Sequence, residues 1–378
     1  VRNRCCGICE PLMEQSGVFL SVRIENSVDK TVTGSTVLRR LFTGVVVLGI
    51  GTVLMVIVGS AVGPVNIPFS HAISTLFEVV GIGDSTAEPT EYAIIKSIRL
   101  PRIFLALFVG AALGIAGGIM QGLFRNAMAD PGIIGVSSGG AVGAVAAIAS
   151  GVSSISTLFL PLFAVIGSSL SMAVVFGIAS IGGRFSMATL LLVGVAVSSF
   201  LAAITTAIII LTDNLNVQRQ IIFWITGGFD TARWESVQIS GPIIIVGSLV
   251  TVFMARDLNV MLVSEDEARA LGVRVRMVRN SLLVSASLIT GTAVAFSGII
   301  AFVGLVVPHV VRLVVGADHR VLLPLSALGG GLFMVAADTA ARIILSPAEL
   351  RVGVLTAMIG APFFIYLLIQ NRSRASML

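Results

Sequence analysis

From residue 41 onward, long apolar runs alternate with short polar, glycine or proline breaks. The first run, 41–63, is long enough to cross a bilayer, because about 20 apolar residues in a helix span a ~30 Å hydrocarbon core. Comparable runs at 102–124, 133–150, 158–180, 186–210, 236–255, 280–303, 320–344 and 350–370 predict further helices. A piece at 306–316 is too short to cross alone and is expected to re-enter, its backbone shielded by protein rather than lipid. The pattern predicts an all-α polytopic membrane protein with about ten transmembrane helices.

The polar intervals predict sidedness. Residues 1–38 form a polar tail that ends in Arg39-Arg40 before the first run, as expected of a cytoplasmic anchor. The transmembrane domain then occupies 39–378. The interval 64–100, acidic for most of its length, is expected outside, as is 212–235, where the apolar piece 221–225 suggests a small interfacial helix. The longest charged interval downstream, 256–279, carries Arg256, Arg269, Arg274, Arg276 and Arg279, and span counting puts it in the cytoplasm. Arg372 and Arg374 place the C-terminus there too.

Composition agrees. The chain is 56% hydrophobic and 11% charged, with 40 glycines and only 6% aromatics. So little charge cannot cover a soluble domain, and abundant glycine suits closely approaching membrane helices rather than a β-barrel with aromatic girdles. The net charge of +5 follows from cytoplasmic anchoring, and no basic stripe interleaved with aromatics points to nucleic acid. Cys5, Cys6 and Cys9 have no histidine nearby and read as reduced thiols in a solvated tail, so no metal site is expected. No cleaved signal peptide is expected before the first run.

An internal echo appears in Gly110…Gly117 before Ile-Met-Gln-Gly and Gly291…Gly298 before Ile-Ile-Ala-Phe-Val-Gly. Span counting gives the two helices opposite directions, as an inverted-topology repeat requires. A nucleotide-binding phosphate loop needs a Gly-Lys-Ser/Thr step, yet the chain's two lysines, Lys30 and Lys96, follow no glycine. The chain itself is therefore not expected to hydrolyse ATP. An intramembrane enzyme is disfavoured because no His-Glu-x-x-His motif or paired aspartates occur. An ion-driven secondary carrier is compatible with inverted repeats but would need midplane ionisable groups, which are scarce. Asp338 is the costliest candidate, and Arg342 at i+4 can pair with it.

Three segments carry a family resemblance: RLPRIFLALFVGAALGIAGGIMQGLFRNAMADPGIIGVSSGGAVGA at 99–144, FSGIIAFVGLVVPHVVRLVVGADHRVLLPLSALGGG at 296–331 and AADTAARIILSPAELRVGVLTAMIGAPFFIYLL at 336–368. With EDEARALGVRVR at 265–276, they resemble the FecCD or BtuC-like permeases of vitamin B12, haem and iron-siderophore ABC importers. One departure is Asn126-Ala127, where that family reads Asn-Pro. The resemblance implies a type II importer fold: a homodimer of permeases, two cytoplasmic ATPase subunits holding ATP and Mg, and an extracytoplasmic substrate-binding protein. The permease itself would bind no cofactor. The cargo implied is an iron chelate, haem before a ferric siderophore on the GLVVPHVVRLVVGADHR stretch, with cobalamin as the alternative.

Particular residues acquire expected roles. Ser264 is a fitting N-cap for a short acidic helix from Glu265, and Gly272 suits its C-terminal stop. By resemblance this is the ATPase-coupling helix, with contacts at Glu267, Arg269, Ala270, Leu271 and Gly272. Arg99, Arg102 and Arg342 match arginines that fork onto carboxylates of the docked binding protein. Met120, Gln121 and His309 are candidates for the substrate pathway, against a default of core packing for the first two. His71 and His319 are expected to be structural.

Overall fold

The computed structural model describes residues 34–181, 186–346 and 348–375; the N-terminal cysteines lie outside them. The described chain is helical, in the order α1 (Gly34–Ala61), α2 (Phe69–Val79), α3 (Pro89–Ile94), α4 (Leu100–Leu123), α5 (Val136–Ala149), α6 (Phe159–Ala179), α7 (Met187–Leu211), α8 (Leu215–Ile225), α9 (Trp234–Phe253), α10 (Ala255–Val263), α11 (Glu265–Ala270), α12 (Val275–Ser297), α13 (Val303–Val315), α14 (His319–Ile344) and α15 (Val352–Ala375). Among the described residues, seven helical stretches are long and apolar enough to cross a membrane, and three shorter apolar helices, α5, α13 and the first part of α15, accompany them. A short helix forms between 212 and 235, as expected: α8.

Side-chain contacts fix which loops share an end. Arg125 Nη2 donates to the Met261 carbonyl at 2.7 Å, and Asn259 Nδ2 to Asp318 Oδ1 at 2.7 Å, so the ends of α4, α10 and α13 and the start of α14 meet. At the other end, Arg102 Nη1 bonds Glu349 at 2.8 Å and Trp234 Nε1 donates to the Lys96 carbonyl at 2.9 Å. The α11 end and the opposite end are therefore distinct faces, and α4 and α12 run between them in opposite senses.

Burial divides the helices. The most apolar window of the stretch Pro89–Leu123 is 78% buried, whereas that of α1 is 0% buried. The outward side chains of α1, among them Phe42, Val47 and Val53, form an apolar surface suited to lipid. The central pair is α4 and α12, which pack on each other. α4 also packs on α13 and α14, and α12 on α5 and α6. Each half thus reads long helix, irregular break, short helix, long helix, and each half's first helix lies on the other half's next two. That exchange, with opposite directions for α4 and α12, is an inverted repeat.

The tightest packing is between α4 and α14. A Cβ at Gly110 would collide with the Gly330 carbonyl, one at Gly330 with the Gly110 carbonyl, and one at Gly114 with the Ser326 carbonyl. Lipid supplies no hydrophobic drive between helices, so association relies on close van der Waals contact, which small residues permit. Gly330→Leu is expected to push the two helices apart, at about 1–3 kcal/mol or more, and to lower the thermal midpoint in detergent. Gly49→Leu, at an α1 position whose Cβ would meet nothing within 4 Å, should leave that midpoint unchanged.

Candidate functional site

At one end, α10 and α11 form a projecting knuckle. The Ser264 hydroxyl accepts from the Asp266 N–H at 3.2 Å, capping α11, and Glu265, Asp266 and Glu267 occupy its positive first turn. The helix stops at Gly272, whose φ of +85° suits glycine. There the Gly272 N–H bonds the Arg269 carbonyl at 3.0 Å and the Val273 N–H the Ala268 carbonyl at 2.9 Å, a Schellman cap. Ala268 is fully buried and anchors the helix, while Glu267, Arg269, Ala270, Leu271 and Gly272 all face outward. Leu271 is 73% exposed, an apolar side chain at the tip of a charged knuckle. Arg269 pairs with Asp266 at 2.8 Å and Glu265 at 3.2 Å, and Arg279 pairs with Glu265 at 3.2 Å, which ties α11 to α12.

Beneath the knuckle, Asp318 caps α14 and accepts from Asn259. Burial alone would raise its carboxyl, but hydrogen bonds from Arg320 and Asn259 outweigh it and hold the group below the usual carboxylate range.

At the opposite end, Arg99, Arg102 and Arg342 converge, each no more than 7% exposed. Arg102 Nε lies 3.0 Å from both carboxylate oxygens of Asp338, its Nη2 is 2.9 Å from Asp338 Oδ1, and its Nη1 holds Glu349. Arg342 Nε is 3.3 Å from Asp338 Oδ2, so the expected i+4 ion pair forms, but the nitrogen makes no hydrogen bond there. Arg342 instead donates to the Gly59 and Val62 carbonyls at 3.2 and 3.3 Å. Arg99 donates to the Ser60 carbonyl at 2.6 Å and to that of Val65. These carbonyls lie at and just beyond the C-terminus of α1, the negative end of its dipole, where cations are favoured. The arginines therefore act as staples joining α1, α4 and α14, with their forks already filled from within the chain.

The same end contains a cavity of about 770 Å³ between the start of α4, the α5–α6 connection, α8 and α9. Arg219, Gln220, Phe223, Trp224, Asp230 and Arg351 help to line it. Arg351 pairs with Asp230, and its guanidinium carbon lies 4.5 Å from the Phe223 ring centroid. The pathway candidates lie elsewhere. Met120 and Gln121 are 0% and 1% exposed within α4, and Gln121 Nε2 donates to the Leu305 carbonyl at 3.1 Å. They pack the core and do not line this cavity, in keeping with the default of core packing. His309 is partly exposed on α13. His71 Nδ1 lies 2.7 Å from Glu91 Oε2, joining α2 to α3. The cavity residues went unmarked in the sequence, although Asn216, Gln220 and Trp224 at i, i+4 and i+8 trace one α8 face.

The FecCD transport family model matches residues 51–370. The chain belongs to the FecCD transport family. Its relatives include the cobalamin import system permease protein BtuC of Halobacterium salinarum, 48% identical over 76% of each chain. The hemin transport system permease protein HmuU of Yersinia pestis is 36% identical over 87% of this chain and 97% of its own. The Fe(3+) dicitrate transport system permease protein FecD of Escherichia coli is 39% identical over 76% and 89%. A solved structure described as an inward-facing, metal-chelate type ABC transporter superposes with a TM-score of 0.75 at 31% identity, over 85% of this permease and 97% of that chain.

Removing one partner of the buried Arg102–Asp338 pair strands a charge in an apolar setting. Arg102→Ala is expected to cost the permease about 3–5 kcal/mol, read as a fall in thermal midpoint in detergent. Arg102→Lys should recover only part of that, because a single ammonium cannot bridge both carboxylate oxygens.

Proposed function

We propose that this permease works in an ABC importer that moves a bulky metal chelate across the cytoplasmic membrane by alternating access. The observation that carries the reading is the knuckle. Five exposed residues, Glu267 and Arg269 to Gly272, stand on a capped helix with one apolar side chain at its tip, a shape that a soluble partner can grip. On this reading the α11 end faces the cytosol, both termini lie there, and two ATPase subunits, which carry ATP and Mg, each hold one knuckle of a permease homodimer. The chain makes and breaks no covalent bond.

The opposite end then receives the substrate-binding protein. Arg99, Arg102 and Arg342 organise that face by holding α1, α4, α14 and Glu349 in register, and the neighbouring cavity opens toward the arriving cargo. The relatives' names span cobalamin, hemin and ferric citrate. The 48% identity to a cobalamin permease makes a corrinoid the first cargo to test. Within the stretch 304–320 that favoured haem, His319 is buried and its Nδ1 lies 2.8 Å from Asn259 Oδ1, so it offers no free ligand nitrogen on that side. Haem follows as the second cargo and ferric siderophores as the third.

The test is uptake into proteoliposomes holding the permease with its ATPase and binding protein, with cobalamin, haem and a ferric siderophore competing. ATP-dependent uptake of one of them is expected. ATP turnover that no loaded binding protein stimulates would count against the reading. Leu271→Asp should release the ATPase without lowering the permease's thermal midpoint, since the side chain touches solvent. Replacing Arg99, Arg102 or Arg342 by glutamate should weaken docking and stability together; loss of docking alone would show those guanidinium groups reaching the partner directly.

A further inference from the structure

We infer that α10, gripped through Asn259, is the element by which the knuckle moves α4 and α14 as one body, so that Asn259 is a positioning residue for transport. The inference rests on the permease reading above.

α11 itself is held to the transmembrane helices chiefly through Ala268 and the Glu265–Arg279 pair. α10 is embedded: Ala255, Leu258 and Met261 are 0%, 1% and 6% exposed. Asn259, on that same helix, makes three bonds to the first turn of α14. Its Nδ2 donates to Asp318 Oδ1 at 2.7 Å, and its Oδ1 accepts from the His319 backbone N–H at 2.9 Å and from His319 Nδ1 at 2.8 Å. Because an amide oxygen only accepts, the last contact places the imidazole proton on Nδ1. One side chain thus joins the N-cap, backbone and ring of α14's start to α10.

A second bond joins α10 to α4. Arg125, just past the end of α4, donates from Nη2 to the Met261 carbonyl at 2.7 Å. Its φ of +48° is unusual for a residue with a Cβ and costs about 1–2 kcal/mol. That conformation is sustained where surrounding contacts fix it, as this bond does. α10 therefore holds both α4 and α14 at one end. Along their length those two helices are locked by the Gly110–Gly330 approach, and at the far end by Arg102–Asp338. A displacement of α10 therefore acts on both helices together, and through them it reaches the arginine-stapled face that on this reading receives the binding protein. The knuckle is the handle and α10 is the grip.

The test uses the full permease, reconstituted with its ATPase and binding protein. Asn259→Asp keeps the shape and the two acceptor contacts to His319 but replaces the Nδ2 donor by a carboxylate oxygen facing Asp318, so the bond to the N-cap turns repulsive and the grip weakens while the knuckle is untouched. The ATPase should still co-purify and its basal turnover should persist. Stimulation by the loaded binding protein, and cargo uptake, should fall at least about fivefold, the lower range of site-to-site coupling. Asn259→Asp combined with Asp318→Asn restores one donor and one acceptor across the contact and should recover most of both. Stimulation within about twofold of the unsubstituted permease in Asn259→Asp would overturn the inference, as would a folded double variant that stays unstimulated. Hydrogen exchange on the permease alone gives a readout that does not depend on transport: Asn259→Asp should speed exchange at 255–263, and unchanged protection there would also overturn it. If the unsubstituted permease is stimulated by no loaded binding protein, the permease reading fails instead, and the exchange result still decides the grip.

Discussion

The contact between the backbones of α4 and α14 sets the terms for the rest of the molecule. Two helices surrounded by apolar groups gain nothing from excluding water, so they hold together only where their atoms touch densely or where polar groups find no better partner. Gly110, Gly114 and Gly330 remove the side chains that would keep the axes apart. The bidentate Arg102–Asp338 bond then becomes possible between the two helices, and it fixes their rotation. A buried ion pair adds little net stability, but each half makes the other indispensable. Arg342 and Arg99 extend the cluster to the carbonyls at the end of α1, so the lipid-facing helix is tied to the central pair by charge–dipole contacts.

The two ends of this frame are built for different work. At one, charge is turned outward on a short capped helix, with Leu271 free at its tip. At the other, three cations are turned inward and filled by carboxylates and carbonyls, and the neighbouring cavity is bordered by a further arginine pair on Phe223 and Asp230. This asymmetry suits the importer reading proposed above, in which one face is gripped by a soluble partner while the other keeps its shape as cargo arrives. The inverted repeat supplies it economically: α4 and α12 cross in opposite directions, so equivalent helix ends appear on both faces with different loops attached.

Local signals in the sequence were legible because they depend on neighbours a few residues away. Apolar runs gave the spanning helices, Ser264 and the acidic turn gave the start of α11, and Gly272 gave its end. The i+4 spacing of Asp338 and Arg342 gave their ion pair. The inward partners of Arg99, Arg102 and Arg342 were not legible in the sequence: the distant Asp338, Glu349 and α1 carbonyls make them internal staples. The burial of Met120 and Gln121 was equally illegible, since a polar or flexible side chain near a helix break says nothing of whether another helix covers it.

The sequence by itself therefore determined that this chain spans a membrane many times, that it holds no Gly-Lys-Ser/Thr phosphate loop and where the knuckle begins and ends, because length, hydropathy, short motifs and capping are read over one to a few helical turns. Tertiary structure alone decided which glycines meet, which charges are spent internally, that Asn259 lies against Asp318 and His319, and where the cavity opens. Those outcomes depend on pairs of residues as much as 283 positions apart, as Arg342 and Gly59 are, and no local pattern in a single sequence encodes such a pairing.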